Sequence, residues 1–328
     1  MYKIACLLLI CSFVLSCKNA TEKPGEISKN STVTPLEIIP QEAYKLSLAQ
    51  WSLNKPIFAG KADPMDFAKT AKELGFEGLE YVSQLYMNDA VTFDLKDAGL
   101  QAILEQLKKN SDSFGMKNLL IMVDGEGDLS FSDENATQTA IEDHKKWIDA
   151  AQFLGCHSIR INLFGEDDPE VWVANSVRSL KALSEYAEPK SINIIVENHG
   201  GLSSNGALLA RVLKEVGMDN CGTLPDFGNF CLKRKGGARW GASCVEEYDM
   251  YKGLAELMPF AKGVSAKSYA FDENGDETKI DYYKMMQIVK DAGFQGYIGI
   301  EFEGDEENPT QGILATKALV IKALDQAK

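Results

Sequence analysis

From Leu46 onward the chain repeats one two-part unit eight times: a short apolar run ending in polar or aromatic residues, then a stretch whose apolar residues recur at helical spacing. The apolar runs are LSLAQW (46–51), GLEYV (78–82), NLLIMVD (118–124), SIRINLFG (158–165), INIIVENHG (192–200), CGTLPDFGN (221–229), GVSAKSY (263–269) and YIGIEFEG (297–304). Gln50 to Glu301 spans 251 residues in seven steps, about 36 per step, and a strand with its crossover helix takes ~30 or more. Runs that stay apolar on both faces belong to parallel strands covered by helices. Eight such units predict a single-domain α/β fold, a (β/α)8 TIM barrel over residues 45–328. An open doubly wound sheet is the runner-up, and no GxGxxG follows the first strand to support it. The segments between the runs, PMDFAKTAKELGF, LQAILEQLKKNSDSFGM, HKKWIDAAQFLG and DYYKMMQIVKDAGF, read as helices closing on Gly75, Gly115, Gly155 and Gly293.

In a barrel of this kind the C-terminal ends of the strands converge on one face, whatever their separation in sequence. The residues there are Trp51, Glu80, Asp124, Asn162, Glu197 with His199, Asp226 with Asn229, Lys267, and Glu301 with Glu303. The stretch IIVENHGG (194–201) passes from apolar strand to acid, amide and imidazole with no turn residue between, so Glu197 and His199, two apart, share a face. Glu301 and Glu303 stand in the same relation. Taken singly, each carboxylate is explained as a helix N-cap or a surface ion pair. Together, Glu197, Asp226 and Glu301 repel one another unless a hard divalent cation lies among them, which predicts a metal site with these three as ligands.

Lys267, ending the seventh strand, is expected either to stabilise developing negative charge, with a pKa free to fall in a cationic site, or to pair structurally with Asp226 or Glu301. Trp51, Glu80, Asn162 and Asn229 are candidates to contact substrate, with core filling the competing use of the aromatic ring. His144 is placed near a helix start at the rim and His157 below the fourth strand, and neither is expected to act chemically. The run KRK (233–235), with Arg239, falls in the loop after the sixth strand. It reads either as a solvated loop or as a receiver for an acidic group of the substrate.

The first residues, MYKIACLLLICSFVLSC, place Lys3 before an apolar run from Ile4 to Leu15, short of the ~20 residues a membrane span needs, and residues 1–16 read as a signal peptide. Val14-Leu15-Ser16-Cys17 resembles the bacterial lipoprotein cleavage box. That resemblance implies acylation of Cys17, residues 17–44 as a flexible tether, and an exported protein held at a bacterial membrane by lipid alone, periplasmic or at the cell surface. An ordinary secretory signal is the alternative. The formal net charge of −14 repels phosphate backbones and excludes nucleic acid as a natural partner. Cys156, Cys221, Cys231 and Cys244 fall within the domain, and no CxxC or Cys/His spacing suggests a thiolate metal site. Cys231 and Cys244 flank the basic loop CLKRKGGARWGASC and stand either as a disulfide or as free thiols.

Taken in order, LSLAQWSLN, ELGFEGLEYVSQ, HKKWIDAAQFLGCHSIRIN, IIVENHGG, LPDFGNF and GFQGYIGIEFEG resemble the xylose-isomerase-like TIM barrels, the sugar isomerase and epimerase superfamily. The resemblance runs from about Leu46 onward. It implies a divalent metal (manganese, magnesium, cobalt or zinc) at the C-terminal mouth, with Glu197, Asp226 and Glu301 matching three of the usual ligands. The fourth, commonly a histidine in a His-x-Lys-Asp pattern on the seventh strand, aligns with Ser265 in VSAKS. Ser265, His199 or water is then left to complete the shell, while Lys267 keeps the lysine of the pattern.

The resemblance further implies isomerisation or epimerisation through an enediolate, with Glu197 and Glu301 as the acid-base pair and His199 and Lys267 as further catalytic candidates. An exported protein would meet a small non-phosphorylated sugar or glycoside rather than a sugar phosphate. Two alternatives use the same residues. A 3-keto-glycoside lyase or hydratase shares the proton removal and differs in the fate of the carbanion; a surface carbohydrate-binding barrel lacks the chemistry, and Ser265 in place of histidine argues for it. The endonuclease branch of these barrels, which needs a histidine-rich multi-zinc site and a basic face, is excluded by three histidines and the acidic balance.

Overall fold

Each of the eight apolar runs forms a strand in the computed structural model, which describes residues 45–306 and 308–327. The strands are β1 (Leu46–Ala49), β2 (Gly78–Val82), β3 (Lys117–Met122), β4 (Ser158–Ile161), β5 (Asn193–Glu197), β6 (Cys221–Leu224), β7 (Val264–Ser268) and β8 (Ile298–Phe302). Neighbours follow chain order from β1 to β6, β1 pairs with β8 and β8 with β7, all parallel. Bridges from Thr223 to Ala261 and from Asp226 to Ser265 close the ring between β6 and β7. Across that seam Ser265 N donates to Pro225 O (2.9 Å) and Phe227 N to Ser265 O (3.1 Å). The result is a (β/α)8 barrel. Residues 1–44, with the expected signal peptide, Cys17 and tether, lie outside the described residues.

Eight helices cover the strands among the described residues: α1 (Phe67–Glu73), α2 (Leu100–Ser113), α3 (Glu134–Leu154), α4 (Pro169–Ala187), α5 (Gly206–Val216), α6 (Met250–Leu257), α7 (Tyr282–Asp291) and α8 (Thr310–Gln326). Several start where a short polar side chain satisfies the first free N–H groups: Asp133, Asp168, Asn205, Asp249 and Asp281 each accept from backbone N–H in the first turn. Helix α3 ends at Gly155, whose φ of 79° is a left-handed conformation that only glycine adopts without strain.

Two expectations about α3 are corrected. The helix begins at Glu134, ten residues before HKKW, and His144 lies in its interior, buried, with Nδ1 2.7 Å from Ala140 O. The imidazole is therefore tied to its own helix and does not stand at the rim. His157 sits below β4 as expected, with Nδ1 2.6 Å from Ser158 Oγ.

Alternation along each strand sorts side chains between two cores. Ile194 and Val196 of β5 face the helices, while Ile195 and Glu197 face the barrel axis. Inside, Ala49, Val82, Leu120, Met122, Ile195 and Leu224 pack with Ile57, Leu85 and Val91 from the loops after β1 and β2. Those loop residues put apolar bulk over the β1–β3 side of the mouth. The polar residues are left to the β4–β8 side.

The loop between β6 and α6 forms a hairpin, Cys231–Arg234 antiparallel to Cys244–Glu247, joined by a Cys231–Cys244 disulfide. Cys156 and Cys221 are buried free thiols. No helix among the described residues is long and apolar enough to cross a membrane.

Candidate functional site

Glu197 closes β5, Asp226 follows β6 and Glu301 lies in β8; all three are buried, and one oxygen of each lies within 4.8 Å of the others. The loop sequence fixes how Asp226 is presented. Its Oδ1 accepts from Gly228 N (2.8 Å) and Asn229 N (2.9 Å), while Asn198 bonds both its backbone N–H and its carbonyl. The other oxygen, Oδ2, turns inward and accepts from Ser265 Oγ at 2.6 Å. Ser265 Oγ is also 2.9 Å from Glu301 Oε2, so one hydroxyl joins two of the three carboxylates.

Burial raises Glu301 to about 8 and Asp226 to about 6, in each case against the pull of Lys267. A single hydroxyl proton satisfies only one of Ser265's two contacts at a time. Protons and a divalent cation thus compete for the same oxygens.

Lys267 is fully buried, with Nζ 3.7 Å from Asp226 Oδ2, 3.5 Å from Glu301 Oε2 and 3.4 Å from Glu303 Oε1. Burial alone would lower its pKa, but Asp226, Glu301 and Glu303 together raise it well above the usual lysine range. The amine is a cation here, and it makes the structural pairing with Asp226 and Glu301 that was one of its two expected roles. Glu303 joins Glu301 on the same face, as their spacing requires.

A second layer holds Glu197. Arg160, from the middle of β4, brings Nε to 2.9 Å from Glu197 Oε2, too far off the N–H line for a hydrogen bond, while its Nη1 donates to Asp124 Oδ1 at 3.0 Å. Asn229 Nδ2 donates to Glu197 Oε1 at 3.0 Å. Burial would raise Glu197, yet the positive charge of His199 when protonated, of Arg160 and of Lys267 outweighs it and holds its pKa below the usual range.

Asn162 Nδ2 donates to Asp124 Oδ1 (2.7 Å), which leaves Asn162 Oδ1 as the acceptor for His199 Nδ1 at 2.7 Å. That chain fixes the His199 tautomer, with the proton on Nδ1 and the Nε2 lone pair available. Burial holds the imidazole below its usual pKa, hence neutral near pH 7.

Of the residues expected at the site, Glu197, Asp226, Glu301, Lys267 and Ser265 meet directly, and His199, Asn162 and Asn229 support them. Trp51 follows β1, and its ring packs edge-on against Phe58 (centroids 6.3 Å apart). Glu80 is the middle residue of β2 and sits deeper in the barrel, 2% exposed, accepting from Ser47 Oγ at 2.6 Å. Its other oxygen has no hydrogen-bond partner, and a Cβ built on Gly299 would lie 2.5 Å from it.

Arg239 is exposed, as a solvated loop requires, but its charge is already paired rather than free for an acidic substrate. It forms two hydrogen bonds to Asp128 (3.1 and 2.6 Å) and lies 4.4 Å over the Phe164 ring. Arg160 was not among the residues expected at the site, although alternation within SIRIN puts it on the same face as Asn162, and a buried arginine must face carboxylates.

The set of hard oxygen donors, closely spaced and buried, fits a divalent cation bound by Glu197, Asp226 and Glu301. Residues 68–323 match the family described as xylose isomerase-like TIM barrel. The chain belongs to that family.

Solved structures of similar shape include the IOLI protein with a binding zinc atom, at 15% identity and a TM-score of 0.64, covering 87% of this xylose isomerase-like barrel and 99% of that chain. Another is a 3-keto-D-glucoside 4-epimerase from E. coli, at 14% identity and a TM-score of 0.62, with 85% and 99% covered. At these identities the likeness is one of fold. Among curated proteins, the 3'-dehydrocarminate deglycosidase alpha subunit of Microbacterium sp is 39% identical over 54 residues, 16% of each chain.

Proposed function

We propose that this barrel is a divalent-metal-dependent isomerase or epimerase that moves a proton at a carbon beside the carbonyl of a non-phosphorylated sugar. The observation that carries the reading is the convergence of Glu197, Asp226 and Glu301 at the mouth beside a fixed lysine cation. Manganese, magnesium, cobalt or zinc held by those three carboxylates would polarise the sugar carbonyl and acidify the neighbouring C–H.

The chain's own groups account for the rest. Glu197 on β5 and Glu301 on β8 face each other, so one removes the proton and the other returns one at the product carbon. The electron pair left by the C–H bond moves onto the carbonyl oxygen, and the buried Lys267 cation stabilises that charge. His199, neutral and with Nε2 available, serves as a further proton carrier. In this reading the protein is exported and tethered through Cys17, which is why a free sugar or glycoside is preferred to a sugar phosphate.

The local relationship to a deglycosidase subunit favours one second reading, a 3-keto-glycoside lyase or hydratase. There the same proton is removed, and the electron pair expels the glycosidic oxygen instead of recapturing a proton.

Incubating the protein with D-fructose and with 3-keto-glucosides in heavy water separates the outcomes by mass spectrometry. Deuterium gained at carbon with the sugar skeleton intact supports the isomerase or epimerase; release of the aglycone supports the lyase. Absence of both, with manganese, magnesium, cobalt and zinc each supplied, overturns the enzyme reading.

A further inference from the structure

The hairpin of residues 231–247 carries an aromatic residue to the mouth that the catalytic scheme does not use. Trp240 is 47% exposed, whereas Trp147 and Trp172 are buried in the core. Its ring lies 4.7 Å from that of His199 and meets Phe164 edge-on at 5.5 Å, so the three rings form a continuous wall leading outward from the carboxylates.

The wall is held in place. Arg239, the adjacent residue, is bound to Asp128 in the loop after β3 and lies over Phe164 from the loop after β4. The hairpin itself is closed by the Cys231–Cys244 disulfide and by Lys235 N donating to Ser243 O at 2.9 Å. A half-exposed aromatic face on a pre-ordered loop costs little conformational entropy to use in binding. With the arginine charge already matched by Asp128, this wall offers the incoming molecule an aromatic face rather than a free cation.

We infer that Trp240 is a specificity-determining residue: it stacks against a second ring joined to the reacting sugar, so the substrate class is a glycoside rather than a free monosaccharide. This rests on the reading of the carboxylate centre as a sugar site. A ring seated among Glu197, Asp226 and Glu301 must direct its substituents outward, and His199 and Trp240 line that path. Sugars present C–H faces, and aryl groups π faces, that stack on an exposed indole.

Calorimetric titration of the full chain with D-glucose, cellobiose and phenyl β-D-glucopyranoside, for the parent protein and for Trp240→Ala and Trp240→Phe, tests this. The expected result is tighter binding of a two-ring ligand than of D-glucose, by about tenfold. Trp240→Ala abolishes the difference, and Trp240→Phe keeps most of it. Preference for the phenyl glycoside alone identifies an aryl ring as the occupant; preference for both two-ring ligands identifies a sugar as well. Equal binding of one-ring and two-ring ligands, no binding of any, or a preference that survives Trp240→Ala overturns the inference. Two-ring preference without deuterium exchange leaves the wall standing and removes the proposed reaction, and exchange without two-ring preference does the reverse.

Discussion

At the scale of single residues, the barrel axis carries more buried charge than a hydrophobic interior tolerates without compensation, and the compensation is specific. Arg160 stands between Asp124 and Glu197. Replacing it by methionine keeps the volume but removes the cation beside buried Glu197 and half-buried Asp124, and the expected loss of about 3–5 kcal/mol is measurable by urea denaturation. Glu80 lacks such a partner, and burial raises it to about 7. Because its folded pKa lies above the unfolded one, its contribution is full below about pH 4.5 and is lost as pH rises to about 7. Glu80→Gln removes that dependence, so between pH 5 and pH 8 the variant should gain about 2–3 kcal/mol relative to the parent. An unchanged difference would contradict the assignment. The three metal-ligand candidates were legible in the sequence because strand ends converge in a barrel. The depth of Glu80 was not, since position within a short strand decides whether a side chain reaches the mouth or the interior. Ser265 in the place of the family histidine was visible, but its bond to both Asp226 and Glu301 depends on the seam between β6 and β7.

At the scale of elements, the strands were readable and the loops were not. A parallel strand covered on both faces must be a continuous apolar run, and that signal survives in one sequence. The start of α3 was missed because DENATQTAIED is mostly polar; Asp133 as an N-cap was the sign available. The hairpin after β6 is the larger omission. Its basic residues are mostly exposed, as expected of a solvated loop, but the disulfide and the Arg239 pair with Asp128 also order it at the mouth, which was not foreseen. Closing a loop with a sequence separation of 13 stabilises by up to about 3 kcal/mol in the chain-entropy account. Under reductant, hydrogen exchange at amides of residues 231–247 should quicken while β1–β8 keep their protection. Equal acceleration everywhere would mean that the disulfide holds the barrel and not the hairpin.

For the whole molecule, apolar loops over β1–β3 and charged side chains from β4 to β8 divide the mouth into a sealed half and a reactive half. Asp226 and Glu301, raised by burial and then by their acidic neighbours, supply with ionised Glu197 the driving force for cation binding. A divalent ion at about a hundred times its dissociation constant should therefore stabilise the fold by roughly 2.7 kcal/mol, read as a rise in melting temperature that EDTA reverses. The most direct test of the central claim is metal content: elemental analysis of the purified protein alongside Glu197→Gln and Asp226→Asn. About one divalent ion per chain in the parent, lost in both variants while both stay folded, is the predicted result. A folded parent that takes up no divalent ion on reconstitution, or variants that bind it as well as the parent, would contradict the account.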